Sequence, residues 1–92
     1  MFRLWAKIFK DNRMQKDIVI CNEQPDVNRT QKIYAAIEQL CYDFDLPKPI
    51  WLKSTIDEFK RYDKTRFLQD SFIETIDFDY LEIQVIEEDD YF

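Results

Sequence analysis

The residues best suited to chemistry are the carboxylates of a repeated Asp-Phe-Asp tripeptide, at positions 43–45 and 77–79 of the 92-residue chain. In a strand, Asp77 and Asp79 would share one face, and paired carboxylates can hold Mg²⁺ or Ca²⁺. The alternative is that each phenylalanine packs inward while its flanking carboxylates face water. We favour this alternative because calcium loops need more oxygen ligands at fixed spacing. No metal, cofactor or catalytic residue is therefore assigned.

The residue types that the chain lacks restrict its chemistry further. It contains no histidine, which excludes a Ser-His-Asp triad, a Cys-His dyad and histidine metal ligands. It contains no glycine, and phosphate-binding loops, dinucleotide fingerprints and EF-hand loops need backbone conformations that glycine adopts most readily. Catalysis by carboxylate, lysine or tyrosine stays open, but no spacing singles out such a residue. We expect a protein that is not an enzyme.

The two cysteines, Cys21 and Cys41, lie within apolar segments and form no CxxC motif. Two cysteines are too few for a disulfide framework, so we expect reduced thiols and no disulfide. Charged residues interrupt the apolar N-terminal segment, which is therefore not a secretory signal. No apolar run is long enough to span a bilayer. These features predict a cytoplasmic protein with no membrane partner.

The net charge of −6 is unevenly distributed along the chain. Residues 1–16 carry five basic side chains and one acidic one, whereas residues 67–92 carry nine carboxylates and no basic side chain. An acidic protein is repelled by phosphate backbones, so no nucleic-acid partner is expected. Residues 87–92, which end in Tyr91 and Phe92, could form an acidic docking tail, but a frayed, solvated end is the simpler interpretation.

Period-two alternation predicts strands near both ends of the chain. Residues 2–10 alternate between an apolar face and a face that mixes basic and aromatic side chains. Residues 16–22 are rich in β-branched side chains and follow a turn at 11–13, where Asp and Asn tolerate the left-handed conformation. Residues 79–87 alternate again. Residues 64–78 are ambiguous and could hold a short strand or an irregular segment.

Two helices are predicted between the strands. Asn28 and Gln31 form a capping-box pattern, and apolar side chains then recur at helical spacing as far as Phe44. Ser54 and Asp57 form a second capping-box pattern, which predicts a short helix of about two turns.

These elements predict an α+β fold with the order β-β-α-α-β in a single domain over residues 1–92. The expected architecture has two layers, with a small antiparallel or mixed sheet packed on one long and one short helix. The basic first strand and the acidic last strand are natural neighbours, because Arg3 or Lys7 could pair across strands with Glu82. We therefore predict the strand order 2-1-3, in which the last strand pairs with the first.

The sheet face that points away from the helices is predicted to be unusually apolar. It would carry Trp5, Phe9, Val19, Tyr80 and Ile86. A contiguous apolar patch marks an interaction site, so these five are the predicted interaction residues. The alternative is that residues 64–78 fold over this face and cover it.

The segments FRLWAKIFK (residues 2–10) and FIETIDFDYLEIQVIEED (residues 72–89) carry a resemblance to known sequences. With them, nearly the whole chain resembles a family of short bacterial proteins of about this length that has no known function. The resemblance implies a free-standing bacterial cytosolic protein. It carries over no functional residue.

Three functions are compatible with the sequence. The leading hypothesis is a non-enzymatic interaction module that binds a protein partner or itself, with a homodimer as the simplest form. The second is an acidic inhibitor that mimics nucleic acid, which requires the C-terminal carboxylates to be spread over one surface. The third is a metal-dependent enzyme that uses Asp77, Asp79 or Glu82.

Overall fold

The computed structural model describes residues 1–88, so the predicted fraying of residues 87–92 falls mostly outside the described residues. In chain order the elements are strands β1 (Phe2–Lys10) and β2 (Arg13–Asn22), helices α1 (Arg29–Phe44) and α2 (Lys53–Tyr62), strand β3 (Lys64–Phe67), a 3-10 turn (Gln69–Ser71) and strand β4 (Tyr80–Glu87). The predicted α+β class is confirmed.

In the described part of the chain, the sheet has four antiparallel strands in the order β2-β1-β4-β3. The last strand lies beside the first, as the complementary charges predict, and Lys7 is opposite Glu82. The strand order 2-1-3 is nevertheless wrong, because a fourth strand pairs with the far side of β4. That strand, β3, has only four residues, too few for a period-two pattern to distinguish it from a loop.

The ambiguous segment 64–78 does not cover the second face of the sheet. Its first four residues form β3, and after the 3-10 turn Phe72 and Phe78 join the buried core. The rings of these two phenylalanines meet edge to face, with centroids 5.8 Å apart. The segment therefore lies on the same side of the sheet as the helices.

The first helix begins as predicted and the second does not. Asn28 Oδ1 accepts a hydrogen bond from the Gln31 backbone N–H at 2.9 Å, and Gln31 Oε1 accepts one from the Asn28 N–H at 3.3 Å. Helix α2 starts at Lys53, where Thr55 Oγ1 accepts from the Leu52 N–H at 2.9 Å. The predicted cap at Ser54 with Asp57 is wrong, and α2 has ten residues. Its length exceeds the two turns expected, because the helix starts earlier and continues to Tyr62.

The core lies between the helices and the inner face of the sheet. Strands β1 and β4 contribute fully or almost fully buried side chains at alternate positions: Phe2, Leu4, Ala6, Ile8, Leu81 and Ile83. Helix α1 supplies Ile33, Ile37 and Leu40, and α2 supplies Phe59. Trp51, in the connector between the helices, packs edge-on against Phe59 and Phe67 at 5.5 and 5.0 Å between centroids. Its role is to close one end of the core.

Among residues 1–88, four adopt the left-handed backbone conformation, although the chain contains no glycine. They are Asp11 (φ 54°), Asn12 (φ 64°), Asp45 (φ 55°) and Asp63 (φ 56°). The first two form the predicted turn between β1 and β2, and positive φ at both central residues is the signature of a type I′ hairpin. The other two end α1 and α2. Asp and Asn tolerate this region better than other residues that carry a Cβ atom.

Replacing Asn12 by glycine is expected to raise the free energy of unfolding by about 0.5 kcal/mol, because glycine adopts positive φ without a steric penalty. Asp-Gly is also a favoured pair for this hairpin turn. The midpoint of urea unfolding measures the change. Asn12→Ala is the control and should unfold at lower urea. A glycine variant no more stable than wild type would contradict the expectation.

Candidate protein-interaction surface

The sheet face opposite the helices, called the outer face below, is not covered by any element within residues 1–88. Both helices and the segment after β3 pack on the inner face. The strand registers arrange the outer-face side chains in rows across the sheet. The three central rows are Val19–Trp5–Gln84–Lys64, Asp17–Lys7–Glu82–Arg66 and Met14–Phe9–Tyr80.

The middle row alternates in charge from β2 to β3. Lys7 Nζ lies 3.0 Å from Glu82 Oε2, and Arg66 Nε lies 3.2 Å from Glu82 Oε1. Asp17 does not bind Lys7 closely, but its Oδ2 accepts a hydrogen bond from Trp5 Nε1 at 2.9 Å. Lys7 and Glu82 are only 8% and 5% exposed. Neighbouring side chains on the same face therefore remove this ion pair from water.

The pKa of Glu82 lies below its ordinary value. Burial raises the pKa of this carboxyl, but hydrogen bonds from Lys7 and Arg66 and the positive charges of Lys7 and Lys64 lower it by more. The carboxylate is thus held ionised by cations on the two neighbouring strands, β1 and β3. Each of its oxygens accepts from a different cation, and this stabilises the charged form.

Aromatic rings border the ion pair on both sides. The Lys7 ammonium lies 3.7 Å from the centroid of the Trp5 ring, and the Arg66 guanidinium lies 4.6 Å from that of Tyr80. Phe9 and Tyr80 stack with centroids 5.0 Å apart. Three of the five predicted interaction residues are therefore half-buried within the outer face itself, where they already contact one another or a cation.

The other two predicted residues are more open. Val19 is 42% exposed and lies opposite Trp5 on the outermost strand β2. Ile86 is 45% exposed and falls at a bulge, where Leu4 pairs with Val85 and Arg3 with Glu87. The structure thus places Val19 beside the aromatic group, while Ile86 stands outside the regular pairing at the far end of β4.

Sequence reasoning missed three members of the outer face. Lys64 and Arg66 lie in the segment whose structure was ambiguous, so the partnership of Arg66 with Glu82 could not be anticipated. Met14 is exposed opposite Phe9 because a bulge shifts the register between Ile8 and Phe9. No pattern in residues 10–16 indicates that bulge.

The two edges of the sheet differ. Strand β3 is a four-residue edge that carries Lys64 and Arg66. Strand β2 is a ten-residue edge whose residues 18–21 are all apolar. Short, basic strands discourage pairing with another chain, and long apolar strands favour it. Beside the β2 edge, a groove of about 450 Å³ runs between β2 and α1, with Ile18 and Ile20 on one wall and Ala35 and Ala36 on the other.

The carboxylates considered for metal binding are placed apart. Phe78 is buried between the exposed Asp77 and Asp79. Asp79 Oδ2 accepts from the Asp11 backbone N–H at 2.9 Å, which ties the segment before β4 to the hairpin turn. Within residues 1–88, no three His, Cys, Asp or Glu side chains are grouped closely enough to hold a metal ion.

The acidic C-terminal segment pairs with basic residues as far as it is described. Glu87 lies 3.6 Å from Arg3 Nε and from the N-terminal amine. Glu88 binds Arg29 Nε, and the same guanidinium binds Asp63 at 2.6 Å. Together with Glu82, three carboxylates of this segment are therefore neutralised by cations from other parts of the chain. The acidic docking tail considered for residues 87–92 lies outside the described residues from position 89 onward.

The two cysteines are both free, with Cys21 exposed on β2 and Cys41 buried in α1. Burial raises the pKa of the Cys41 thiol to about 11, although the charge of Lys48 lowers it slightly. Cys41 thus stays protonated at neutral pH and behaves as a small apolar residue. Neither helix of the described chain is long and apolar enough to cross a membrane.

Comparison with known proteins finds no matching family model, no matching curated protein and no matching solved structure. The resemblance to short bacterial proteins in residues 2–10 and 72–89 therefore stays a prediction. The outer face and the β2 edge are accordingly the features from which a function can be inferred.

Proposed function

We propose that the protein is a non-enzymatic interaction module that associates with a second copy of itself. The observation that carries this proposal is the open side of the sheet. Within residues 1–88, the outer face has no covering layer and the long edge of β2 has no neighbouring strand. Apolar residues are exposed along both, and contiguous exposed apolar surface is typical of contact sites between proteins.

Charge complementarity supports a second copy as the partner. The middle row of the outer face carries two acidic and two basic side chains in alternation, so a symmetric contact does not bring a net charge against itself. Outside this face, the protein is acidic, with a net charge of −6 overall. Copies that met through a surface of net negative charge would repel one another more strongly.

The two alternative functions have less support. A nucleic-acid mimic needs free carboxylates on one surface, but Glu82, Glu87 and Glu88 each have a cationic partner. A metal-dependent enzyme would use Asp77, Asp79 or Glu82 as ligands, and within residues 1–88 these are not grouped with further carboxylates. Glu82 is bound by Lys7 and Arg66, and Asp79 accepts from the hairpin turn. A cytoplasmic location belongs to the same proposal and is supported by the two free thiols.

Light scattering coupled to size exclusion is expected to give a mass of twice the 11.4 kDa chain at high micromolar concentration. Dilution into the low micromolar range should lower the average mass, because a module of this kind forms a reversible interface. A mass that stays at that of one chain at the highest concentration would contradict the proposal.

A further inference from the structure

The interface between the two copies can be located from the difference between the two edges of the sheet. Edge strands expose unpaired backbone N–H and C=O groups, and proteins protect them with short length, with lysine or with proline. Strand β3 has the first two protections, since it contains four residues and begins with Lys64. Strand β2 has ten residues and no proline; it carries Arg13, Lys16 and Asp17 in its first half, but its stretch from Ile18 to Cys21 is uncharged. This second half of β2 is therefore the least protected part of the two sheet edges and the best candidate to pair with a partner strand.

A second β2 strand fits this edge in one symmetric register better than in its neighbours. In an antiparallel pair, residues directly opposite one another share a face of the sheet. A two-fold axis at Val19 places Ile18 opposite Ile20 of the second copy, on the inner side. It also places Asp17 opposite Cys21 and Lys16 opposite Asn22, so no like charges face each other. The apolar centre of β2 then pairs with itself.

Each neighbouring register places charged side chains less favourably. An axis at Lys16 or Asp17 would set that charged residue against its own copy. An axis at Ile20 would set Asp17 against Glu23. An axis at Ile18 would avoid like charges but would place Lys16 opposite Ile20 and Asp17 opposite Val19. Like charges directly opposite one another destabilise a strand pair. A two-fold contact also requires a surface that is complementary to itself, and among these registers the axis at Val19 meets both conditions.

The groove beside β2 has room for the inner side chains of an added strand. Its far wall is α1, which lines it with the small residues Ala35 and Ala36 and with the polar residues Lys32, Gln39 and Asp43. Lys16 Nζ, in the first half of β2, lies 5.4 Å from the ring of Phe44 at the end of α1, whereas Ala35 and Ala36 line the groove together with Ile18, Val19 and Ile20. These two observations place α1 antiparallel to β2, with its middle beside Val19. A two-fold axis at Val19 would therefore also bring the two α1 helices side by side around their midpoints.

From these observations we propose that two copies join edge to edge through antiparallel pairing of β2, with the two-fold axis at Val19. The two four-stranded sheets become one continuous sheet of eight strands. This inference rests on the proposed function, because it needs self-association, and it adds the interface and its register. The outer faces of both copies stay open on the same side of the joined sheet.

A disulfide tests the register directly. In the Val19→Cys, Cys21→Ser double variant, the two new thiols lie on directly opposite residues, whose Cα atoms are about 4.5–5.5 Å apart. That separation falls within the range for disulfides. Mild oxidation should therefore convert most of the protein into a crosslinked dimer on a non-reducing gel. Wild type is the control, since its Cys21 thiols would lie roughly 14 Å apart along the strands and should stay uncrosslinked.

A charge at the axis tests the interface without cysteine chemistry. Val19→Lys sets two ammonium groups opposite one another and is expected to weaken dimerisation at least tenfold. Leu68→Lys is the matched control, because Leu68 is similarly exposed but directly follows β3, at the opposite edge of the sheet from β2; its dimer should persist. Thermal unfolding at low concentration checks that both variants fold.

The outcomes separate the two proposals. A wild type that stays monomeric contradicts the proposed function and the edge interface together. A different set of results would overturn the edge interface alone and assign the contact to the outer face. In that case wild type and Val19→Lys would both be dimers, the position-19 cysteine variant would not crosslink, and Trp5→Glu would be a monomer. If wild type crosslinked through Cys21 and the Val19→Cys, Cys21→Ser variant did not crosslink, the proposed register would be wrong.

Discussion

Replacing Glu82 by leucine is expected to lower the free energy of unfolding by about 3 kcal/mol. The variant removes the partner of Lys7 while the ammonium stays almost fully buried beside the Trp5 ring. Removing one member of a buried ion pair costs about 3–5 kcal/mol, because the other charge is left without compensation. We choose the lower end, since Lys7 Nζ can still reach Gln84 Oε1 at 3.4 Å. Urea unfolding followed by circular dichroism measures the loss.

The double variant Lys7→Met, Glu82→Leu separates this explanation from simple loss of packing. Buried ion pairs can often be replaced by apolar side chains of similar volume at little cost. The double variant should therefore be more stable than either single variant and close to wild type. If the two single losses simply added, the pair would not be coupled and the explanation would be wrong.

The same carboxylate predicts how the free energy of unfolding changes at acidic pH. The pKa of Glu82 in the folded protein lies below the ordinary value of 4.5. A carboxyl whose pKa is lower in the folded than in the unfolded protein stabilises the fold. This stabilisation is fully present at pH values above the pKa of the unfolded protein, and it disappears as the pH falls through the pKa of the folded protein. Wild type should therefore lose stability below about pH 4.5. Glu82→Gln, which cannot ionise, should lose less over the same range.

The parts of the fold that sequence patterns predicted are those with long, regular signals. The nine residues of β1 and the eight of β4 both alternate, and their opposite charges indicated that they pair. The Asp11–Asn12 turn and the Asn28 capping box are encoded by residues next to one another. In each case the information is local, or it depends on one cross-strand charge pair.

The parts that were missed depend on distant contacts. Strand β3 exists because Arg66 and Phe67 find Glu82 and Leu81 on β4, and a four-residue pattern cannot reveal that pairing. The start of α2 was misplaced because its N-cap is Leu52, whose N–H donates to Thr55 Oγ1, while Ser54 lies within the first turn. Serine is a much commoner N-cap residue than leucine, so local preference pointed to the wrong position.

The sequence predicted which side chains lie on the outer face but not the contacts that they make there. Trp5, Phe9, Tyr80 and Val19 do lie on the outer face, as alternation requires. The sequence could not indicate that the Lys7–Glu82 ion pair would be buried among the rings. Nor could it indicate that the exposed Arg66 would bind Glu82, since Arg66 lies on β3. Nor could it distinguish the protected edge from the open one, because that difference arises only when the strand order is known.

Replacing Phe67 by alanine is expected to cost about 4 kcal/mol of folding stability, in the range measured for large aromatic deletions in cores. Phe67 is fully buried and its ring meets that of Trp51, so alanine leaves a cavity that the rigid sheet cannot close. The neighbouring Leu68 is 50% exposed, and Leu68→Ala should change stability by no more than about 0.5 kcal/mol. Both variants are compared by urea unfolding at equal concentration. Equal losses of stability at the two positions would mean that β3 is a surface segment. A large loss at position 67 alone would establish this four-residue strand as part of the core. In that role β3 holds β4, and with it Glu82, in place.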